Sequence, residues 1–379
     1  MHAEKEHEFR VFFKPIPHSI KGWFIFIRSK IKNINKNNPT STKYQHMATV
    51  KRVAINGFGR IGRHLFRELS GMKGIKVVAV NDLADLKTLT HLLKYDTAQG
   101  IFDKKITHVK DGFKLSSSKV LAFSERNPEA LPWKKLNIDI VVECTGFFRT
   151  KESASLHLKA GAKKVLLSAP AKGPGVKTVV IGVNEKQIKA SDKIISNASC
   201  TTNCLAPVTK VIVDNWGFKS GAFSTVHSYT ADQRIQDSPH RDLRRARAAA
   251  QNIIPTSTGA ALATGLVIPE VKGKITAMAY RVPTITGSII ELNCTIKEKT
   301  TLEEVLATFK KAANGKMKGI LQYNEEPIVS SDIIGSNYSS IFDAPLVALS
   351  GKNLRVISWY DNEAGYAARL AQLVQIVKV

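Results

Sequence analysis

Ser199-Cys200-Thr201-Thr202-Asn203-Cys204 stands between a strand-like stretch and a helix-like one. A cysteine at a helix N-terminus meets the positive end of the helix dipole, which favours thiolate over thiol. The thiolate is the reactive form, so Cys200 is the candidate nucleophile. A second feature lies well upstream. Gly57-Phe58-Gly59-Arg60-Ile61-Gly62 follows the short apolar run Arg52-Val53-Ala54-Ile55-Asn56, and a helix pattern runs from Ile61 to Leu69. Another apolar run, Val77-Val78-Ala79-Val80, ends in Asn81-Asp82, with the carboxylate twenty residues past Gly62. A lone GxGxxG is a weak signal, but strand, glycine turn, helix, second strand and acid in this order are specific for dinucleotide binding. Gly57 permits the tight turn, Gly59 lets the backbone approach a pyrophosphate, and Gly62 lets helix pack on strand. The helix N-terminus holds phosphates, and Asp82 can accept from the adenosine ribose hydroxyls. A reactive cysteine and a nicotinamide site on one chain point to oxidation of an aldehyde through a thioester.

These groups need a scaffold. From 50 to 199 strand and helix patterns alternate: 138–143, 164–168 and 193–196 read as further buried strands, and Ser153–Ala160 as a helix. Alternation predicts a doubly wound, mainly parallel sheet covered by helices, with ligands at the carboxyl ends of its strands. Asn56, Asp82, Thr145, Ser168 and Asn197 lie near such ends. From 200 the pattern changes. A helix from Thr202 to Asp214 is followed by longer strands at 222–230, 274–282, 287–297 and 353–360, which predicts an α+β domain on an antiparallel sheet. Leu302–Ala313 reads as a helix with a Thr301/Glu304 capping box. In the closing helix from Glu363, Leu370, Leu373, Val374 and Val377 make one apolar stripe. The division expected is an extension over 1–46, a dinucleotide-binding domain over 47–199 onto which helix 363–379 packs, and a catalytic domain over 200–362.

Bulk properties narrow the classes. A chain of 379 residues, 43% hydrophobic and 23% charged, suits a globular protein with two cores. No apolar run is long enough to span a membrane, so no membrane partner is expected. Cys144, Cys200, Cys204 and Cys294 show neither a C-x-x-C pair nor zinc-type spacing. A reducing, cytoplasmic setting without a metal follows as the expectation. Cys144, Cys204 and Cys294 read as packing cysteines, and His91 and His157 as surface or core filler. The net charge is +25, and residues 1–46, with nine Lys/Arg against three Glu, account for only +6 of it. Such an excess could attract nucleic acid, but no basic stripe with interleaved aromatics is present, and a solvated basic surface is the preferred reading. Residues 1–46 read as a non-catalytic extension, disordered or outside the native chain, with a natural start at Met47; a targeting segment is the alternative.

The chain from about Val50 to Val379 resembles glyceraldehyde-3-phosphate dehydrogenase of the phosphorylating type. The segments that carry the likeness are INGFGRIGR (55–63), HLLKYD (91–96), SNASCTTNCLAP (196–207), HSYT (227–230), DLRRARAAA (242–250), PTSTGAA (255–261), RVPT (281–284) and SWYDNEAGY (358–366). The resemblance implies a homotetramer, NAD as cofactor, and phosphorylating oxidation of glyceraldehyde 3-phosphate to 1,3-bisphosphoglycerate. It implies that Cys200 attacks the aldehyde carbon. It implies that His227, as an imidazolium, lowers the cysteine pKa and, as a base, takes the hemithioacetal proton. The Cys200 N–H and His227 would steady the oxyanion. Gly57, Gly59, Arg60, Ile61, Gly62, Asp82, Ser168 and Asn362 are the cofactor set it implies, with Asn362 on the nicotinamide carboxamide. Thr230 and Arg281 resemble a pocket for the substrate's phosphate. Ser199, Thr201, Thr258 and Gly259 resemble a site for inorganic phosphate. Arg244, Arg245 and Arg247 read as structural or interfacial.

Three positions depart from the family pattern. Ser238-Pro239 replaces a common Leu-Pro near the ribose of a cofactor held by another subunit; this would allow some NADP tolerance, opposed by the charge of Asp82. Thr286-Gly287 replaces a more usual Asn-Val, and Ala364 a more usual tryptophan. The sister family, erythrose-4-phosphate dehydrogenase, shares cysteine, histidine and fold; HSYT intact through Thr230, with Arg234 following, favours the three-carbon substrate. A nucleotide-fold protein that binds RNA is the remaining alternative, disfavoured by the intact cysteine, histidine and phosphate-binding residues.

Overall fold

Val53-Ala54-Ile55 and Val77-Val78-Ala79-Val80 are buried on both faces, the mark of parallel strands covered by helices on each side. The computed structural model describes residues 50–379, and the expectations for 1–46 lie outside them. Nine strands form the first sheet: β1 (Lys51–Asn56), β2 (Ile75–Asn81), β3 (Ile106–Val109), β4 (Gly112–Leu115), β5 (Ser118–Phe123), β6 (Ile140–Glu143), β7 (Lys164–Leu167), β8 (Lys177–Thr178) and β9 (Ile194–Ser196). Their order is β8-β9-β7-β6-β1-β2-β5-β4-β3. Pairings from β8 through β5 are parallel, as expected; the β3-β4-β5 meander closes one edge antiparallel. That meander, rich in Lys and Ser, carries too little apolar alternation to be read from sequence.

Helices α1 (Arg60–Leu69), α2 (Leu86–Lys94) and α3 (Lys151–Lys159) belong to this sheet. α3 starts at Thr150, whose hydroxyl accepts from the Ser153 N–H at 3.1 Å. The chain leaves β1 toward β2 on one side and returns to β6 on the other, so a crevice opens at the carboxyl ends of β1 and β6.

The second sheet has eight strands: β10 (Phe218–Ser228), β11 (Ile254–Thr256), β12 (Ile275–Val282), β13 (Ser288–Ile296), β14 (Leu321–Asn324), β15 (Ser340–Asp343), β16 (Ala348–Ser350) and β17 (Asn353–Tyr360). Most pairings are antiparallel, but β10 runs parallel to β12 and β14 to β15. The expectation of an antiparallel sheet is corrected to this extent. The connection from β10 to β12 is long and contains α5 (Ala260–Val267), which gives the chain the length a parallel crossover needs. One consequence matters for chemistry: the β10–β12 register places Arg281 beside His227.

α4 (Cys200–Trp216) and α6 (Leu302–Asn314) cover one face of this sheet. The predicted Thr301/Glu304 capping box is present at the start of α6. α7 (Ala364–Ile376) returns to the first sheet. Its stripe of Leu370, Leu373, Val374 and Val377 is at most 1% exposed and shares a core with Leu65, Phe66 and Leu69 of α1. Lys51 Nζ donates to the Val374 and Val377 carbonyl oxygens at 3.1 and 2.8 Å, placing a cation on the negative end of α7.

Candidate active site

Gly57 sits at φ +91°, a conformation that favours glycine, and its N–H donates to the Asn81 carbonyl at 2.8 Å. A Cβ on Gly62 would collide with the Gly57 carbonyl oxygen, so α1 meets β1 only through glycine. A Cβ on Gly59 would meet nothing within 4 Å. The protein itself leaves that space open, which suits close approach of a ligand. Gly59 is the N-cap of α1, makes no side-chain cap bond, and is followed by no acid in the first turn. The N-terminal N–H groups and the dipole are therefore free for an anion. Gly62→Ala is expected to displace this turn, cost about 1–3 kcal/mol of stability and weaken dinucleotide binding at least about tenfold. Calorimetric titration with NAD would check it; unchanged affinity would sink the assignment of the turn.

The crevice, of about 480 Å³, is lined by Gly57, Gly59, Asp82, Leu83, Arg126 and Phe148 among others. Asp82 is steadied by the Phe58 N–H, which donates to its Oδ2 at 2.7 Å. Arg60 does not line the crevice: its guanidinium is taken up by Glu363 and by Asp96 at 2.6 Å, tying α1 to α7. Ile61 and Ser168 also lie outside the lining, and the Ser168 N–H donates to the Glu143 carbonyl at 2.9 Å. Thr145 lines it, as its place near a strand end implied, and Glu125, Arg126, Phe147 and Phe148 line it unforeseen, since no motif marks them.

Beneath the crevice lies a polar network that the sequence did not reveal. The buried Glu143 carboxylate accepts from Asn56 Nδ2 at 2.6 Å, from the Thr145 N–H at 2.7 Å and from His157 at 3.0 Å. Trp133 Nε1–H donates to His157 Nδ1 at 3.1 Å, which leaves the imidazole hydrogen on Nε2, facing Glu143. His157 is thus core, as read, but it is a wired part of the core. The network ties the end of β1 to the loop after β6.

Ala198 takes φ +56° between β9 and α4, so the chain turns sharply and brings Cys200 to the first position of the helix. Ser199 is the N-cap, its hydroxyl accepting from the Thr202 N–H at 3.0 Å. Tyr366 of α7 donates to the Ala198 carbonyl at 3.1 Å and holds the turn. Cys200 is half-buried where both cores meet. Its Sγ lies 3.4 Å from His227 Nε2. The start of α4 and the end of β10, the strand that follows it, thus deliver a thiol and an imidazole to one point.

At this pair burial works against the expected imidazolium–thiolate. Burial pushes the Cys200 thiol up, against the Arg281 charge, the Thr201 hydroxyl and the first N–H groups of α4, which pull it down. Burial, and then Arg281, push His227 down to about 3. Both shifts favour a thiol beside a neutral imidazole over the charged pair. The helix dipole is present, but enclosure by two cores outweighs it.

Arg281 Nη1 stands 2.7 Å from His227 Nδ1 and 3.0 Å from the Ser228 carbonyl oxygen. The Thr230 N–H donates to Gln233 Oε1 at 3.2 Å in the loop after β10. Thr258 and exposed Gly259 lead into α5, with Gly259 as its N-cap. The Thr201 hydroxyl is turned inward to Tyr360 at 3.0 Å. Arg245 is bound by Asp232, by Thr256 at 2.9 Å and by the Ser257 carbonyl at 3.1 Å, and its charge reaches both His227 and Arg281. Arg245 therefore belongs to the electrostatics of the site.

Asn362 Oδ1 accepts from Ser228 and Ser288 hydroxyls at 2.8 and 2.9 Å, which leaves its amide nitrogen for a ligand. Thr286-Gly287 now has a physical account. Gly287 lies at φ +89°, and a Cβ there would come within 2.5 Å of the Ser330 carbonyl oxygen. This turn directs Thr286 inward to donate to Asp361 Oδ1 at 2.8 Å, next to Asn362. Ser238 does not line this chain's crevice; it borders an open hollow with Arg234 and Arg241.

Family models agree with this geometry. Residues 51–151 match the NAD binding domain of glyceraldehyde 3-phosphate dehydrogenase, and residues 199–362 match its C-terminal domain. The chain is 54% identical over 329 residues to glyceraldehyde-3-phosphate dehydrogenase of Thermotoga maritima, covering 86% of this chain and 98% of that protein. It is 51% identical over 328 residues to the Geobacillus stearothermophilus protein of the same name, with the same coverage. It is 52% identical over 329 residues to glyceraldehyde-3-phosphate dehydrogenase 2 of Streptomyces avermitilis, again covering 86% and 98%. Both halves of the fold, in order and over nearly the full length of these relatives, place the chain in the glyceraldehyde 3-phosphate dehydrogenase family.

Proposed function

We propose that this chain oxidises glyceraldehyde 3-phosphate to 1,3-bisphosphoglycerate with NAD and inorganic phosphate. The observation that carries the reading is Cys200 Sγ at 3.4 Å from His227 Nε2, on the first residue of α4. His227 takes the thiol proton at Nε2, and the sulfur adds to the aldehyde carbon. The proton passes to the new alkoxide oxygen, giving a neutral hemithioacetal. His227 then removes that hydroxyl proton as the carbon is oxidised. Bound NAD supplies the hydride acceptor for this oxidation. The thioester left on Cys200 is attacked by phosphate, whose oxygen bonds to the acyl carbon as the C–S bond breaks and returns the thiolate.

The open space at Gly59, the uncapped start of α1 and the poised Asp82 fit a dinucleotide. The free amide nitrogen of Asn362 supports its role on the nicotinamide carboxamide. Thr230 and Arg281 are read as holding the phosphate of the substrate. Ser199, Thr201, Thr258 and Gly259 are read as holding the attacking phosphate, Thr201 chiefly by its backbone N–H. NAD preference with some NADP turnover is expected; faster turnover with NADP than with NAD would refute it.

A homotetramer is part of the same reading. Val226 and Met278 on the outer face of the second sheet, and Ile235, Leu243 and Ile253 beyond it, are 41–88% exposed, which suits burial against other copies. A cytoplasmic location accords with four free cysteines, and among the described residues no helix is long and apolar enough to cross a membrane.

The test is NADH absorbance with purified protein, glyceraldehyde 3-phosphate and NAD, with and without phosphate. Phosphate-dependent turnover is expected. A single burst that phosphate does not extend would remove the phosphorolysis step. Silence on this substrate with turnover of erythrose 4-phosphate would move the chain to the sister activity.

A further inference from the structure

Asn362 stands between two carboxylates that are bonded to the NAD binding domain. Its own Oδ1 accepts from Ser228 and Ser288 on the second sheet. Glu363 Oε1, on one side, accepts from Arg60 Nε at 2.7 Å. Asp361 Oδ2, on the other, accepts from Gln99 Nε2 at 2.8 Å, in the loop after α2. Asp361 is 1% exposed, and its carboxylate takes five donors, all of them neutral. Oδ1 accepts from the Thr286 hydroxyl at 2.8 Å and from the Glu363 and Ala364 N–H groups at 2.9 and 3.1 Å. Oδ2 accepts from the Gly335 N–H at 2.8 Å as well as from Gln99. A buried carboxylate is tolerable only when its lone pairs are filled in this way. A carboxylate can only accept, so the Gln99 amide must present its nitrogen here.

Four of these donors come from residue 286 onward, and Gln99 alone comes from the NAD binding domain. Gln99 is itself held. Asp96 Oδ1 accepts from the Ala98 and Gln99 N–H groups at 3.0 Å each, and Asp96 Oδ2 accepts from Arg60 Nη1 at 2.6 Å. Arg60 opens α1 directly after Gly59. Hydrogen bonds therefore run without a gap from the dinucleotide turn through Arg60, Asp96 and Gln99 to Asp361, the residue before Asn362. The surroundings are close-packed. A Cβ on Gly335 would stand 3.6 Å from Gln99 Oε1, and one on Gly365, in the first turn of α7, would collide with the Tyr338 carbonyl oxygen. The backbone on both sides of Asn362 has little room to shift.

The amide of Asn362 and the glycine turn belong to different domains, yet both must serve one bound dinucleotide. Resting on the NAD-dependent oxidation proposed above, we propose that Gln99 and Asp361 are positioning residues whose hydrogen bond fixes Asn362 at a set distance from the dinucleotide turn. Neither residue lines the crevice. They act through Asn362, as a strut between the domains. An error in that distance is felt at the nicotinamide end, because the adenosine and pyrophosphate are held by the turn and Asp82. A misplacement of about 1 Å at a reacting group can slow a reaction about a hundredfold.

The experiment titrates full-chain protein calorimetrically with NAD and with ADP-ribose, which keeps the adenosine and pyrophosphate but has no nicotinamide. Gln99→Leu is expected to weaken NAD about three- to tenfold and to leave ADP-ribose within about twofold. Gln99→His, which keeps an N–H donor at similar reach, is expected to restore most of the affinity. Asp361→Asn is expected to weaken NAD about tenfold or more, with ADP-ribose again spared. Gln99 is only half-buried, so its variants decide the matter even if Asp361→Asn does not fold. Asn362→Ala sets the scale: it should weaken NAD and spare ADP-ribose. In that background Gln99→Leu is expected to add nothing, since the amide it acts through is already gone. Equal losses for NAD and ADP-ribose in Gln99→Leu, or a loss that adds in full to that of Asn362→Ala, would overturn the proposal. The failures are distinguishable. No NAD binding by wild type would remove the oxidation reading and the strut with it. NAD binding that Asn362→Ala leaves unchanged would take Asn362 off the nicotinamide, and the strut would fall too. A nicotinamide-specific loss in Asn362→Ala with none in Gln99→Leu would remove the strut alone.

Discussion

Cys200→Ser is expected to lower aldehyde oxidation by on the order of 10⁴-fold or more, as removal of a nucleophile does elsewhere. A serine hydroxyl supplies no useful anion near neutral pH, and no neighbouring thiol can substitute. Cys204, one turn on, is wholly buried and packs against Ser340 and Ser358, its pKa pushed up to about 12 by burial. Cys144 is likewise pushed up to about 12 by burial. Dinucleotide binding should persist, because Cys200 does not line the crevice at the end of β1. Stopped-flow NADH formation and calorimetric titration with NAD would check both halves. Oxidation surviving in the variant would end the nucleophile assignment, and loss of NAD binding as well would mean that Cys200 also supports the fold.

His227→Asn should lower the oxidation rate by about 10²- to 10⁴-fold, the usual contribution of a positioned acid–base group. The same substitution carries a stability signature with a definite sign. His227 is held at about 3 in the folded protein against an ordinary 6.5, first by burial and then by Arg281. Between those values the unfolded chain binds a proton on this residue that the folded chain refuses. Its contribution to stability is therefore complete above pH 6.5 and is lost progressively as the pH falls toward about 3. Replacing it with a residue that does not titrate should flatten the loss of stability in that window. Urea unfolding at a series of pH values would show this. An equal slope for wild type and variant would mean that the imidazole is not held neutral.

Much of the site was legible in the residues themselves. Gly57, Gly59 and Gly62 do what their spacing implied, because a tight turn, an open approach and a close helix–strand contact are local requirements that only glycine meets together. Cys200 at the start of α4 follows from a strand pattern running into a helix pattern. The apolar stripe of α7 was equally plain, since a period of 3.6 residues is a property of the sequence.

Other features required the fold. The guanidinium of Arg60, a residue of the cofactor set that the resemblance implies, serves Asp96, just after α2, and Glu363, brought near only when α7 packs on α1. His157 gave no signal, because its partners Glu143 and Trp133 lie on other elements. The parallel pairing of β10 with β12, hidden by a long connection, sets Arg281 against His227. The protonation state of the central pair was decided there too. Residue types and spacing determined the chemistry available to this chain: a nucleophile, an imidazole, anion donors and a dinucleotide turn. Which groups meet, and with which protons, was decided by tertiary structure, because burial and the distance between charges set those equilibria and neither exists until distant segments pack.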